Sequence, residues 1–445
     1  MDRVRDVLRS GTWLTRERMR LVAGALLLAS VAGFLYLLAT AHGGVDQQGR
    51  PVGTDFSNVY AAGTYVLEGN PDAPFDLSLQ YAREQKIFGT ATPFYGWHYP
   101  PFFLFVAGAL AMMPYGAALA IWQAATLVLY LLVMRAIISP PPPLREEALP
   151  QSSELGSRPL EEGSPQAFPS LHVGGDDYLW LLLALAFPAL LINIGHGQNG
   201  FLTAALIGAA LLKLDRAPVF AGILFGFLAY KPQFGLMIPI VLAASGRWRC
   251  FAAAAATVIL LTIATTLAFG PLVWQVFLDS TRFTRTVALE QGNTGWYKIQ
   301  SVFAWARMWG ASVPVAYALQ GALVAGLGGA LIWLWRSTAA YPLKAAALCL
   351  AAILATPYTF DYDMMTLAPA IAFLAADGFA RGFGPWEKTA LAALWLMPLI
   401  ARSVAQATLI PLGVPAMLAI FVLLLRRSTR DFSSPMAFSG AFFLK

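Results

Sequence analysis

The residues with the means to do chemistry gather in a few short polar runs set between long apolar stretches. Thr54-Asp55-Phe56-Ser57-Asn58 opens a helical pattern in which Phe56, Val59, Tyr60, Gly63, Val66 and Leu67 share one face. Two readings stand for Asp55: it caps that helix, or it is a general base that takes the proton from an incoming hydroxyl. They conflict only in part, because capping uses one carboxylate oxygen and leaves the other free. Trp97-His98-Tyr99-Pro100-Pro101 and Gly195-His196-Gly197-Gln198-Asn199 bring two histidines suited to a metal, to a phosphate or to a structural hydrogen bond. Gln198 and Asn199, at a helix start, serve either as caps or as sugar hydrogen-bonders. Tyr230-Lys231-Pro232-Gln233 puts an ammonium at a helix break, where it either snorkels or holds an anionic headgroup such as a phosphate. Arg282, Arg285 and Lys298 offer further cations, and Asp361 and Asp363 offer either a second acidic centre or the cap of the following helix.

The elements that must carry these runs are membrane spans. Of 445 residues, 58% are hydrophobic and 12% charged, against about 25% charged in soluble domains, and the apolar residues form continuous blocks instead of stripes. The net charge of +6 comes from Lys and Arg at block edges, which marks cytoplasmic loops and not a nucleic-acid surface. Two cysteines, Cys250 and Cys349, support neither a disulfide framework nor a thiolate metal site. Nothing resembles a P-loop, a dinucleotide fingerprint, a zinc pattern or a nucleophile elbow.

Thirteen apolar blocks are visible, at 21–40, 100–113, 116–138, 179–194, 199–213, 217–230, 232–244, 251–269, 313–335, 343–357, 364–380, 386–402 and 406–425. The first follows six arginines, and its length of 20 residues exceeds a signal-peptide core and matches a bilayer span, so it is expected to be a retained anchor. Basic loops put both chain ends in the cytoplasm, which requires an even number of crossings, about 12. Block 100–113, flanked by prolines and only about 21 Å long as a helix, is expected to dip in without crossing. The chain then divides into a basic cytoplasmic N-terminus (1–20), a first part with a large extracytoplasmic loop (21–138, loop 41–99), a disordered linker (139–176), a bundle (177–425, loop 270–310) and a cytoplasmic tail (426–445). With that topology the polar runs all fall on the outer face, where polar groups near a bilayer mark a site.

In order and spacing the chain resembles glycosyltransferase family 87, enzymes of the type C glycosyltransferase fold. The likeness runs from about Leu21 to Phe421 without the linker. It rests on the acid after the first span, the surface helix that follows, Tyr99-Pro100-Pro101 returning to the membrane, the break at Gly197-Gln198-Asn199, and Lys231-Pro232-Gln233. The resemblance implies an all-α polytopic membrane enzyme with extracytoplasmic juxtamembrane helices, located in the plasma (inner) membrane. It would move a hexose, often mannose, from a polyprenyl-phosphate donor to a hydroxyl of a lipid or glycan acceptor on the extracytoplasmic side. The family's first-loop acid falls on Asp55, as base in a single inverting displacement. Lys231 with Arg282 or Arg285 would clamp the phosphate. His196, Gln198, Asn199 and Gln233 would bind sugar or phosphate, and Asp361, Asp363, His98 and Tyr99 would form a second acidic or substrate site. Two departures stand out. Phe56 lies where related members show a second acid, and Tyr358, Asp361, Tyr362 and Asp363 lie where many members have a histidine. No cofactor, metal or nucleic acid is expected, and the partners are the lipid-linked donor, the acceptor and membrane lipids. The alternative is a transporter or flippase of a lipid-linked sugar, a class that usually carries internal repeats; none is found.

Overall fold

The computed structural model describes residues 2–138 and 178–433; the expected linker and the end of the tail lie outside them. Among the described residues the fold is helical throughout, with isolated bridges in place of strands. The helices are α1 (Asp2–Ser10), α2 (Arg16–Thr40), α3 (Phe56–Leu67), α4 (Leu77–Phe88), α5 (Leu104–Ala111), α6 (Tyr115–Ile138), α7 (Leu179–Leu185), α8 (Pro188–His196), α9 (Gly200–Lys213) and α10 (Pro218–Phe227). They continue with α11 (Met237–Ala244), α12 (Trp248–Phe269), α13 (Leu272–Phe283), α14 (Val302–Met308), α15 (Val313–Arg336), α16 (Tyr341–Leu354), α17 (Leu367–Arg381), α18 (Glu387–Thr408) and α19 (Gly413–Ser433).

Each apolar block of the sequence becomes a helix or a broken helix, because a backbone in hydrocarbon must satisfy its own hydrogen bonds. Among the described residues six helical stretches are long and apolar enough to cross a membrane, and α7 with α8, bent by 45°, makes a seventh if the pair is one span. The remaining apolar helices are short, among them Pro101–Ala111, about 16 Å at 1.5 Å per residue and well below a bilayer core. The centre of the bundle is α16, buried from Ala345 to Leu354, with α17, α15, α19 and α11 packed around it. Its alanine-rich sequence lets neighbours approach closely, the packing that membrane helices favour in place of a hydrophobic drive. At the opposite extreme, α2 buries only Ala23 and presents its leucines outward, as a lipid-facing helix must.

The loop 41–99 is folded around α3 and α4. The first of these, α3, packs face to face with α5, and eight of its residues are buried. Gly63 makes this contact possible, because a Cβ there would sit 2.1 Å from the Ala107 carbonyl oxygen. The face that the amphipathic pattern marks packs on α5. The loop 270–310 is also helical, running through α13, a π-helical stretch Thr284–Glu290, a 3-10 turn Trp296–Lys298 and α14. An antiparallel bridge between Ile299 and Phe360, and a hydrogen bond from the Gln300 amide to the Thr359 carbonyl (2.8 Å), pin it to the segment before α17.

Candidate active site

Asp55 sits immediately before α3, and its side chain caps nothing. One oxygen, Oδ2, accepts from Gln198 Nε2 at 2.7 Å, and the other, Oδ1, lies 3.4 Å from Thr54 Oγ1 and 3.7 Å from His196 Nδ1. Thr54 Oγ1 is itself 2.7 Å from that histidine nitrogen. The carboxylate is therefore oriented by groups on two distant parts of the chain while its side chain keeps 20% exposure. Of the two readings of Asp55, the geometry removes the cap and leaves a held carboxylate open to a substrate.

The partners are delivered by the break between α8 and α9. Gly197 ends α8 in the left-handed region at φ +62, where a glycine costs least. Gln198 and Asn199 then turn inward before α9 begins. Gln198 Oε1 accepts from Tyr99 Oη at 3.2 Å, and Asn199 Nδ2 donates to the same phenol oxygen at 2.9 Å. Gln123 Nε2 of α6 holds the Gln198 carbonyl at 3.1 Å, and Asn193 Oδ1 accepts the Gly200 amide at 2.7 Å. Each member of this buried network fixes the next, the condition under which polar groups specify one geometry.

Lys231 stands apart from Asp55 in its bonding. Its ammonium is 2.6 Å from Asp363 Oδ1 and is buried, with the Tyr362 ring 5.2 Å away. That ring meets His196 edge-on at 5.8 Å. Lys231 and Asp363 thus form the wall behind the histidine. Asp363 Oδ2 also accepts the Phe360 amide at 3.0 Å, and so closes the turn of which it is part. Asp361, 2% exposed on its side chain, is 3.1 Å from Arg402 Nε of α18. Gln233 lies half-buried on the 3-10 turn Pro232–Gly235. His98 is exposed, its Nδ1 2.9 Å from Thr284 Oγ1. Arg282 and Arg285 are 82% and 66% exposed, paired with Asp279 and Glu290 and outside the Asp55 network.

A cavity of about 410 Å³ opens beside Thr54 and His196, the neighbours of the Asp55 carboxylate. Its polar wall is Asp46, Arg50, Thr54, His196, Asp361 and Arg402, and its apolar wall comes from Leu37 of α2, Ile192 of α8 and Pro398 and Leu399 of α18. Arg50 holds Asp46 with Nε at 3.0 Å and Nη2 at 2.9 Å. That pairing and two backbone amides keep the Asp46 carboxyl below its usual range against the opposing effect of burial. Neither arginine had been singled out from the sequence. A charge within an apolar span is a functional signal, and Arg402 carried it at the end of the block 386–402. Arg50 carried none.

A carboxylate held by hydrogen bonds, a neighbouring cavity that two arginines line, and an apolar flank from α2, α8 and α18 suit an amphiphile with an anionic head. The family model that matches is described as Glycosyltransferase family 87 and covers residues 97–357. The chain belongs to glycosyltransferase family 87. The protein is therefore a membrane glycosyltransferase, with a sugar donor and an acceptor as its substrates. The matched stretch holds His196, Gln198, Asn199, Tyr99 and Lys231, while Asp55 and Arg402 lie to either side of it. No curated protein and no solved structure matches the chain.

Proposed function

We propose that this family 87 glycosyltransferase moves a hexose, mannose first among those to test, from a polyprenyl-phosphate donor to a lipid or glycan hydroxyl on the extracytoplasmic face of the plasma membrane. The single observation that carries the reading is a cavity bordered by Thr54 and His196, the neighbours of the Asp55 carboxylate, whose lining combines two arginines, each paired with an aspartate, on one wall with apolar side chains on the other. A polyprenyl phosphate needs both walls: the tail lies along α2 and α18, and the phosphate meets Arg402, Arg50 and His196. From the sequence alone the phosphate falls to Lys231 with Arg282 or Arg285. Their positions favour another division of work, with Lys231 bracing Tyr362 and the two loop arginines in solvent. A guanidinium has five donors, so Arg402 and Arg50 can keep their carboxylates and still reach a phosphate.

The displacement runs in one step with inversion. The acceptor hydroxyl gives its proton to Asp55 Oδ1, and its oxygen attacks the anomeric carbon from the face opposite the phosphate. The bond from that carbon to the phosphate oxygen breaks, and its electron pair leaves with the polyprenyl phosphate. The phosphate passes from a monoanionic diester to a monoester of higher charge, so cations beside it stabilise the transition state more than the ground state.

The test is transfer of radiolabel from polyprenyl-phosphate-mannose to a membrane extract by the purified protein in nanodiscs. Asp55→Asn is expected to fold and insert normally and to lose transfer by roughly 10²–10⁴-fold, the usual worth of a positioned base. Normal turnover by that variant would remove Asp55 from its role. No product with any polyprenyl-phosphate hexose would remove the donor class.

A further inference from the structure

Behind the active site lies a second carboxylate that the transfer step does not use. Glu84, on the inner face of α4, is fully buried. Its Oε2 accepts the Tyr95 amide at 3.2 Å, and its Oε1 accepts the Gly96 amide at 3.2 Å and Gln80 Nε2 at 3.3 Å. All three neighbours offer hydrogens, the arrangement that suits an ionised carboxylate, which only accepts. Gln80 Nε2 also donates to the Asn58 carbonyl of α3 at 2.9 Å.

Two lines of contact lead from Glu84 to Asp55. In the first, the amides that Glu84 holds belong to the segment ending in Tyr99, whose phenol donates to the Gln198 amide that holds Asp55. Trp97, buried between Phe75 and Tyr99, stiffens that segment. In the second, Gln80 fastens the first turn of α3, which begins at the residue after Asp55. We propose that Glu84 is a positioning residue for glycosyl transfer: in its ionised form it ties the Tyr95–Tyr99 segment and the start of α3 into the geometry that holds Asp55. The proposal rests on the reading of Asp55 as base and adds a control to that site.

Protonation undoes the tie. A neutral carboxyl must find an acceptor for its new O–H, and the buried acceptors near it that lack a donor are Gln80 Oε1 and Asn58 Oδ1. Reaching the first requires the Gln80 amide to turn over, which breaks its bond to α3. Burial raises the Glu84 pKa to about 7, with the charge of Asp55 adding to the effect. The other charges on the elements around α4 are otherwise engaged or set apart: Glu68 pairs with Arg83, Asp76 caps α4 through Ser78 and Leu79, and Asp72 precedes the 73–75 turn. Transfer is therefore expected to fall as the pH facing Asp55 drops through about 7. Stability moves the other way. A pKa raised on folding means that the folded state holds the proton more tightly, so this contribution is full below the unfolded value and is lost as pH rises through 7.

The experiment compares wild type with Glu84→Gln and Glu84→Asp in nanodiscs, reading kcat from pH 5.5 to 8.5, the pH dependence of Tm, and hydrogen exchange across residues 93–100. Glu84→Gln is expected to lower kcat at pH 8 by about tenfold, the scale of hydrogen bonds lost from a charged acceptor. It should also abolish the acid limb near 7, flatten Tm against pH, and exchange faster at Tyr95 and Gly96. Glu84→Asp keeps the charge and should keep an acid limb at reduced kcat, which covers the case in which the Gln variant does not fold. Wild-type kcat and exchange in Glu84→Gln, or an unchanged acid limb, would overturn the proposal. If the wild-type protein transfers no polyprenyl-linked hexose, the proposed function fails and the positioning role fails with it, while the exchange and Tm measurements separately show whether Glu84 holds the Tyr95–Tyr99 segment.

Discussion

Arg402 shows how one side chain serves two demands that a simpler cation could not meet together. Its Nε faces Asp361, which is buried, while part of the guanidinium lines the cavity. Removing it outright would leave the buried Asp361 carboxylate without its cation, so loss of activity in Arg402→Ala would be uninformative. Arg402→Lys keeps the charge and gives up the fork. It is expected to fold with a Tm within a few degrees of wild type and to lose transfer by about 10–10³-fold, with donor KM raised. Wild-type kinetics in that variant would place the phosphate elsewhere. Much of the site could be read from residue types. Asp55, His196, Gln198, Asn199 and Tyr99 do converge, because polar residues interrupting apolar blocks have few reasons to be there other than a site. Arg50 and Glu84 could not be found that way. They sit in polar loop sequence, where a charge is the commonest thing to meet, and only folding shows that one lines the cavity and the other is buried.

The break between α8 and α9 has the same standing among the elements. It ends one helix, starts another and turns three side chains inward, and Gly197 is the point on which it depends. A Cβ there would lie 2.6 Å from Phe56 Cβ and 3.0 Å from the Gly53 carbonyl oxygen, with the backbone at φ +62. Gly197→Ala therefore pays for a left-handed conformation, about 1–2 kcal/mol, and also pushes on the residue next to Asp55. The expected result is a Tm lowered by a few degrees together with a kcat loss larger than the stability change accounts for. A variant that loses stability but keeps kcat would show that the break supports the fold alone. At this scale the apolar blocks were legible to within a few residues, since hydrophobic length is set by the bilayer. The setting of α3 was not. An amphipathic pattern tells which face is apolar but not whether lipid or protein covers it, and the contact of Gly63 with α5 is a tertiary fact.

Across the whole molecule, charge is sorted to the two ends of the bundle. At the end away from Asp55, Arg427 of α19 reaches Asp377 Oδ2 of α17 at 2.7 Å and also Glu387 of α18, and Arg381 joins Asp377, so that one cluster fastens three helices. At the site end, ion pairs include Arg402 with Asp361, Lys231 with Asp363 and Arg50 with Asp46. Lysine and arginine concentrate in cytoplasmic loops, so the Arg427 end should face the cytosol and the Asp55 end the outside. Both native cysteines, Cys250 and Cys349, are buried, which leaves a quiet background for labelling. Asn70, exposed beyond α3, and Arg216, exposed after α9, offer one probe for each side. In intact cells a membrane-impermeant maleimide should label Asn70→Cys directly and Arg216→Cys only after permeabilisation. The reverse pattern would put Asp55 in the cytosol, where a donor presented on the outer leaflet cannot meet it. The lipid-phosphate mechanism would then fail, whatever the local geometry of the carboxylate.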